Sequence, residues 1–130
     1  MEITISQAQG KVPVTILKLT GDLNAATFEQ FQKEAKKSID AGAHNLLVDL
    51  SAVPYMSSAG MRALNQIFDW LSGSPEENAA IKKAVATGKV KSPHLKLLSP
   101  TPHVLEALKT AGFDMFLEIH HDLNRAVASF

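Results

Sequence analysis

Four consecutive small residues, Ser57-Ser58-Ala59-Gly60, are the best candidates for chemistry in this sequence. They stand between an apolar run ending in Asp49-Leu50-Ser51 and a helix-patterned run beginning at Met61. A hydroxyl at such a junction fits three roles: helix cap, nucleophile or phosphate acceptor. The first N–H groups of a helix have no internal partners and carry partial positive charge, so a phosphate there is electrostatically favoured. A phosphoryl group brings about −1.5 to −2 charges at neutral pH. The plainest role is a side-chain cap from Ser57 or Ser58, worth roughly 1 kcal/mol. Gly60 reads as room for close packing of the helix.

The other chemistries find less support. A nucleophile elbow needs Gly-x-Ser-x-Gly, and Met56 occupies the first glycine position. The five histidines, His44, His94, His103, His120 and His121, are scattered, and no Ser-His-Asp order is legible. They read as surface or strand-end residues rather than a metal site, with His120 and His121 on opposite faces of a strand. Asp22 and Asp49 end two strands, but two carboxylates without a phosphate loop signal Mg²⁺ weakly. Neither a Walker loop nor Gly-x-Gly-x-x-Gly occurs. The expectation is no catalytic residue, no metal, no cofactor and no enzymatic activity.

Composition narrows the class further. The chain has 130 residues, 45% of them hydrophobic, enough for one domain with a real core. Formal net charge is +0, so no bulk attraction to nucleic acid or anionic membrane is expected. The absence of cysteine removes disulfides, thiolate nucleophiles and cysteine metal sites, and fits a cytoplasmic protein. No apolar run approaches the roughly 18 residues of a membrane span. The start, MEITISQAQGKV, lacks the pattern of a signal peptide.

Several elements must position the turn. EITISQ and VPVTILKLTG are β-branched and read as a hairpin closing near Gly10-Lys11, with Pro13 at a strand start. Residues 24–42 read as a helix burying Phe28, Phe31, Ala35 and Ile39, capped by Asn24 or Thr27. Thr27 with Gln30 matches a capping box, and Gly42 ends the helix. HNLLVDLS is a continuous apolar strand buried on both faces. The helix after the turn buries Met61, Leu64, Ile67, Phe68 and Leu71. A polar excursion spans about 72–93, with a short helix expected at 78–86. LKLLSP is a strand. Thr101, Pro102 and Gly112 punctuate a further helix as N-cap, first turn and stop. MFLEIH is a last strand, and Asp122 caps a closing helix. The order β-β-α-β-α-β-α-β-α predicts an α/β fold over residues 1–130: one mixed sheet, antiparallel at its N-terminal hairpin and otherwise parallel, packed by about four helices.

At this level LLVDLSAVPYMSSAGMRAL resembles the signature of STAS domains, the anti-sigma factor antagonist family. LTGDLNAATFEQFQ resembles that family's entry into its first helix, and residues 99–130 resemble its closing segments. The resemblance implies an interaction module in bacterial partner switching. Its partners would be an anti-sigma factor that is also a serine kinase and, once phosphorylated, a PP2C-type phosphatase. Aligning Gly60 with the family's glycine puts Ser58 at the first Ser/Thr position, Ala59 at the second and Ser57 where an acid usually stands. Ala59 cannot accept phosphate, so Ser58 is the candidate acceptor and Ser57 a poorer one. The docking patch would include Asn24, Thr27, Met56, Ser57, Ala59, Gly60, Met61 and Arg62, with Met56 and Met61 as adaptable contacts if exposed. Two alternatives stay open: a constitutive docking subunit of a signalling or transport complex, and a small nucleotide-binding protein or enzyme. Oligomeric state is not legible.

Overall fold

The structure, a computed structural model, describes residues 1–71 and 91–130. The excursion expected at about 72–93 and its short helix at 78–86 therefore fall almost wholly outside the described residues. The described chain has rejoined the body by Ser92. This residue is buried, donates its N–H to the Phe116 carbonyl at 2.8 Å and accepts from the N–H groups of His94 and Leu95.

Among the described residues five strands form one sheet: β1 (Glu2–Gln9), β2 (Pro13–Thr20), β3 (Leu46–Ala52), β4 (Leu95–Leu98) and β5 (Glu118–His120), in that spatial order. The β1–β2 pair is antiparallel, with Gln9 opposite Pro13. The remaining pairs are parallel. Pro13 begins its strand, where its missing N–H costs no ladder bond. Among the described residues four α-helices connect or flank the strands: α1 (Phe28–Asp40), α2 (Ser58–Leu71), α3 (Pro102–Thr110) and α4 (Leu123–Ala128). The mixed sheet with four helices is the architecture the sequence pattern implied.

The strand pattern explains the two-sided core. Successive side chains of a strand point to opposite faces. Leu46, Val48 and Leu50 of β3 join Leu17, Leu19, Leu95 and Leu97 under α1, α2 and α3, with Phe31, Ala35, Leu64, Ile67 and Leu108 from the helices. Leu47 faces the other way and packs with Val14, Ile16 and Leu98 against Ala126 and Val127 of α4. The apolar run of β3 is continuous because both of its faces are covered.

Several local expectations change on contact with tertiary structure. Gln30 makes no capping box with Thr27, since its amide donates to the Met1 carbonyl at 2.9 Å instead. Thr101 precedes α3 without a side-chain cap, its hydroxyl reaching the Val53 carbonyl at 3.0 Å. Asp122 does cap α4, accepting from the Asn124 N–H at 3.0 Å. The last strand is shorter than MFLEIH. Gly112, at φ 81, stops α3, and Phe113–Met115 then form a 3-10 turn that buries Phe113 before β5 begins.

Candidate functional site

The Ser57–Gly60 turn lies at the carboxyl end of the central strand β3, where α2 begins. Its position is fixed by the loop that leads from β2 to α1. Leu23 donates its N–H to the Tyr55 carbonyl at 3.0 Å, and its own carbonyl accepts the Ser57 N–H at 2.9 Å. These bonds form a single parallel bridge between Leu23 and Met56. The Thr101 hydroxyl secures Val53 from the other side. The turn is thus held from both neighbouring strand ends, and Asn24 follows directly on the residue that bonds it.

Asn24 and Thr27 are half-buried and bonded to one another's backbone. The Thr27 hydroxyl donates to the Asp22 carbonyl at 2.8 Å and accepts the Asn24 N–H at 3.0 Å. Asn24 Oδ1 accepts the Ala26 N–H at 2.9 Å. The Asn24 carbonyl receives the Phe28 N–H, so Asn24 opens the turn that becomes α1. Thr27 itself makes no side-chain cap.

Ser57 occupies the cap position of α2, its carbonyl accepting the Met61 N–H at 3.1 Å. Its hydroxyl does not complete the cap, however: Ser57 Oγ is buried and has no hydrogen-bond partner among the described residues. The expected side-chain cap is therefore absent, and the N–H groups of Ser58, Ala59 and Gly60 have no acceptor among the described residues. Ser58, the first residue of α2, is exposed. Of the two serines, Ser58 is the exposed residue, whereas the Ser57 oxygen is enclosed.

The remaining expected contacts divide by burial. Arg62 is exposed one turn beyond Ser58, and Met61 is partly exposed with the rest of its side chain against the core. Met56 and Ala59 are buried, at 2% and 5% exposure, so neither side chain lies on the surface as the docking patch supposed. Met56 is drawn inside because its bridge to Leu23 turns the side chain toward the core. Gly60 is buried as well. A Cβ at this position would stand 2.8 Å from Leu23 Cγ, 2.9 Å from Met56 Cγ and 3.0 Å from the Leu23 carbonyl oxygen. Gly60→Ala is expected to destabilise the fold by up to about 2 kcal/mol, because overpacking of about 1–3 kcal/mol is offset by only about 1 kcal/mol of helix propensity. Thermal unfolding monitored by circular dichroism checks this, with a midpoint several degrees lower than that of the wild type.

Two residues belong to this surface without having been singled out. Tyr55 is 45% exposed and stacks on His103 of α3, with ring centroids 5.7 Å apart. Beside them a shallow groove of about 440 Å³ runs between Met61 and the α3 residues His103, Glu106 and Ala107. The only sequence signal was an aromatic residue in a turn; its stacking partner lies in a distant segment. Elsewhere, Asp49 accepts the Ser51 N–H at 3.0 Å. Among the described residues no group of three or more His, Asp or Glu side chains is arranged to hold a metal, and no helix is long and apolar enough to cross a membrane.

The STAS domain family model matches residues 6–72, which span β1 residue Ser6 through the whole of α2. The chain belongs to the STAS domain family. It is 26% identical over all 130 residues, and over 95% of the relative's length, to BtrV of Bordetella bronchiseptica, named as a candidate anti-sigma factor antagonist. An anti-sigma factor antagonist from Mycobacterium paratuberculosis shares the fold with a TM-score of 0.72 at 16% identity, covering 98% of this chain and 93% of that one. The antagonist SpoIIAA shares it in its unphosphorylated form at 0.68 and 17% identity, covering 97% and 93%. SpoIIAA of Bacillus in its phosphorylated form gives 0.62 at 16%, covering 97% and 96%. This STAS domain is accordingly anti-sigma factor antagonist-like, and its Ser57–Gly60 turn lies within the span that the family model matches.

Proposed function

We propose that this STAS domain docks on an anti-sigma factor that is also a serine kinase, and that phosphorylation of Ser58 ends the docking. A PP2C-type phosphatase would reverse the modification, and the exchange would take place in the cytoplasm. Residues 1–130 act as one interaction domain without catalytic activity of their own. The observation that carries this reading is the exposed Ser58 at the first position of α2, beside N–H groups without an acceptor among the described residues. Such a site accommodates phosphate within the chain itself. Ser57 is a poorer acceptor because its oxygen is buried, and Ala59 has no hydroxyl.

The surface offered to the partner comprises Ser58, Met61 and Arg62, flanked by Asn24, Thr27, Tyr55 and His103. Met56, Ser57, Ala59 and Gly60 contribute by setting the backbone beneath it. The relatives described as anti-sigma factor antagonists support the choice of partner class. That SpoIIAA exists in a phosphorylated form supports covalent switching. The test is incubation with the cognate kinase and ATP, followed by intact mass and peptide mapping. The wild type and Ser57→Ala are expected to gain one phosphate and Ser58→Ala none. Equal uptake by Ser58→Ala would refute the assignment, and no uptake by the wild type would favour constitutive docking.

A further inference from the structure

The two edges of the sheet are unlike. β5 is only three residues long and carries the charged Glu118, features that discourage pairing. β1 runs for eight residues, EITISQAQ, with no proline or lysine and a single charge at Glu2. Its backbone polarity can be read from its neighbours. Thr15 donates its N–H to the Asn45 carbonyl, so Thr15 and Leu17 direct their backbone groups toward β3. Val14, Ile16 and Lys18 therefore bond β1, at Ala8, Ser6 and Thr4. That leaves the N–H and C=O groups of Ile3, Ile5 and Gln7 directed out of an edge that no strand among the described residues pairs. Ile5 at the middle of this row is 43% exposed, one of only four large hydrophobic side chains so exposed among the described residues.

We infer that the β1 edge is a self-complementary surface that pairs with a second copy of this chain, antiparallel about a two-fold axis through Ile5. A two-fold perpendicular to the sheet keeps the faces covered by α1, α2 and α3 on the same side and sets Ile5 against Ile5 of the second copy. Ile3 then lies opposite Gln7, and all three residues exchange their outward N–H and C=O groups. The two exposed isoleucines cover one another, as cross-strand apolar pairs do. Charge agrees with this register. Glu2 meets the neutral Ala8 and points toward the Lys11 end of the second copy, so no like charges face each other along the strands. Over the same edge, Glu34 lies beside Ile3 and Thr4, whereas Ser38 lies beside Gln7. The two-fold therefore brings the Glu34 side of one α1 toward the Lys37–Ser38 side of the other. A parallel pairing would instead place Glu2 beside Glu2. The surface lies on the sheet edge, away from the Ser58 turn at the strand ends, so pairing leaves that turn free.

An interface of one strand pair with flanking helices is small, so the dimer is weak and concentration-dependent. Sedimentation velocity of the full chain from about 10 μM to about 1 mM tests it, spanning the range of weak association. The wild type is expected to pass from monomer to twice the monomer mass. Ile5→Lys and Ile5→Glu are each expected to remain monomeric throughout, with far-ultraviolet circular dichroism unchanged because the site is exposed. Their equimolar mixture is expected to recover the dimer, since only a pairing of residue 5 with itself joins opposite charges there. A wild type monomeric at about 1 mM overturns the proposal and leaves the edge to a strand from another protein. A dimer that persists in Ile5→Lys, or a mixture that stays monomeric, overturns the Ile5-centred pairing.

Discussion

Phosphorylation of Ser58 is expected to weaken docking on the proposed anti-sigma factor partner by about 100-fold, equivalent to about 2.7 kcal/mol, without destabilising the chain. The two halves of this result have separate physical causes. Within the chain, the phosphate lies at the start of α2 beside N–H groups that lack acceptors among the described residues, and the exposed Arg62 stands one turn away. An anion in this place stabilises a helix by roughly 0.3–1 kcal/mol. At the interface, the same doubly charged group must leave water or meet a surface shaped for a neutral hydroxyl, which costs several kcal/mol unless a cation pairs with it. Titration calorimetry of the phosphorylated and unmodified chains against the partner measures the difference, with thermal unfolding of both as the control. Equal affinities would remove the switch from this site. A lower unfolding midpoint in the phosphorylated chain would show that the modification acts by disrupting the fold.

Glu118→Gln is expected to destabilise the chain by about 2–3 kcal/mol, below the roughly 3–5 kcal/mol of a fully buried pair because Glu118 partly sees water. Lys96, in β4, is almost fully buried on the α4 face of the sheet. Its ammonium meets Glu118 Oε2 at 2.9 Å, the Ser129 carbonyl at 2.8 Å and Ser129 Oγ at 3.0 Å, and lies over the Phe130 ring. Removing the carboxylate leaves that charge inside with neutral partners only. Adding Lys96→Met to Glu118→Gln removes the buried charge as well and is expected to recover most of the loss.

The dependence on pH follows from the carboxyl. Burial pushes the Glu118 pKa up, but the hydrogen bond and charge of Lys96, followed by those of His120, more than offset this and hold it below its usual 4.5. The folded value is thus depressed relative to the unfolded one. The pair contributes fully above the unfolded carboxylate range, and its contribution is lost as pH falls through the folded value. Urea unfolding at a series of pH values should show the gap between wild type and Glu118→Gln widest near neutrality and closing below about pH 4.5. A gap that stays constant through that range would mean that the carboxylate does not stabilise Lys96.

The mixed sheet, its hairpin and the helix order were legible because they rest on repeating patterns. The continuous apolarity of Leu46, Leu47, Val48 and Leu50 required two covered faces, and the structure supplies them with α1 and α2 on one side and α4 on the other. The helical faces through Phe31 and Ala35 and through Leu64, Ile67 and Phe68 are buried as their spacing requires. The caps were less legible. Thr27, Gln30 and Thr101 have the right residue types, yet each finds a partner outside the expected cap. A polar side chain takes the best-placed acceptor, and local spacing does not reveal a carbonyl brought close by another segment. Lys96 went unmarked for the same reason: LKLL reads as a strand, while the partners that make its burial tolerable are more than twenty residues further along.

By itself the sequence determined which residues alternate, which recur at helical spacing and where small hydroxyl residues interrupt them, and so determined the architecture and the location of the turn. Tertiary structure alone decided which side chains of that turn face outward. The Leu23–Met56 bridge turns Met56 inward, Ser57 loses its expected cap with its oxygen enclosed, and Ser58 remains at the surface. Periodicity is a property of neighbours along the chain, whereas exposure in an irregular turn is set by whichever distant strand end packs against it.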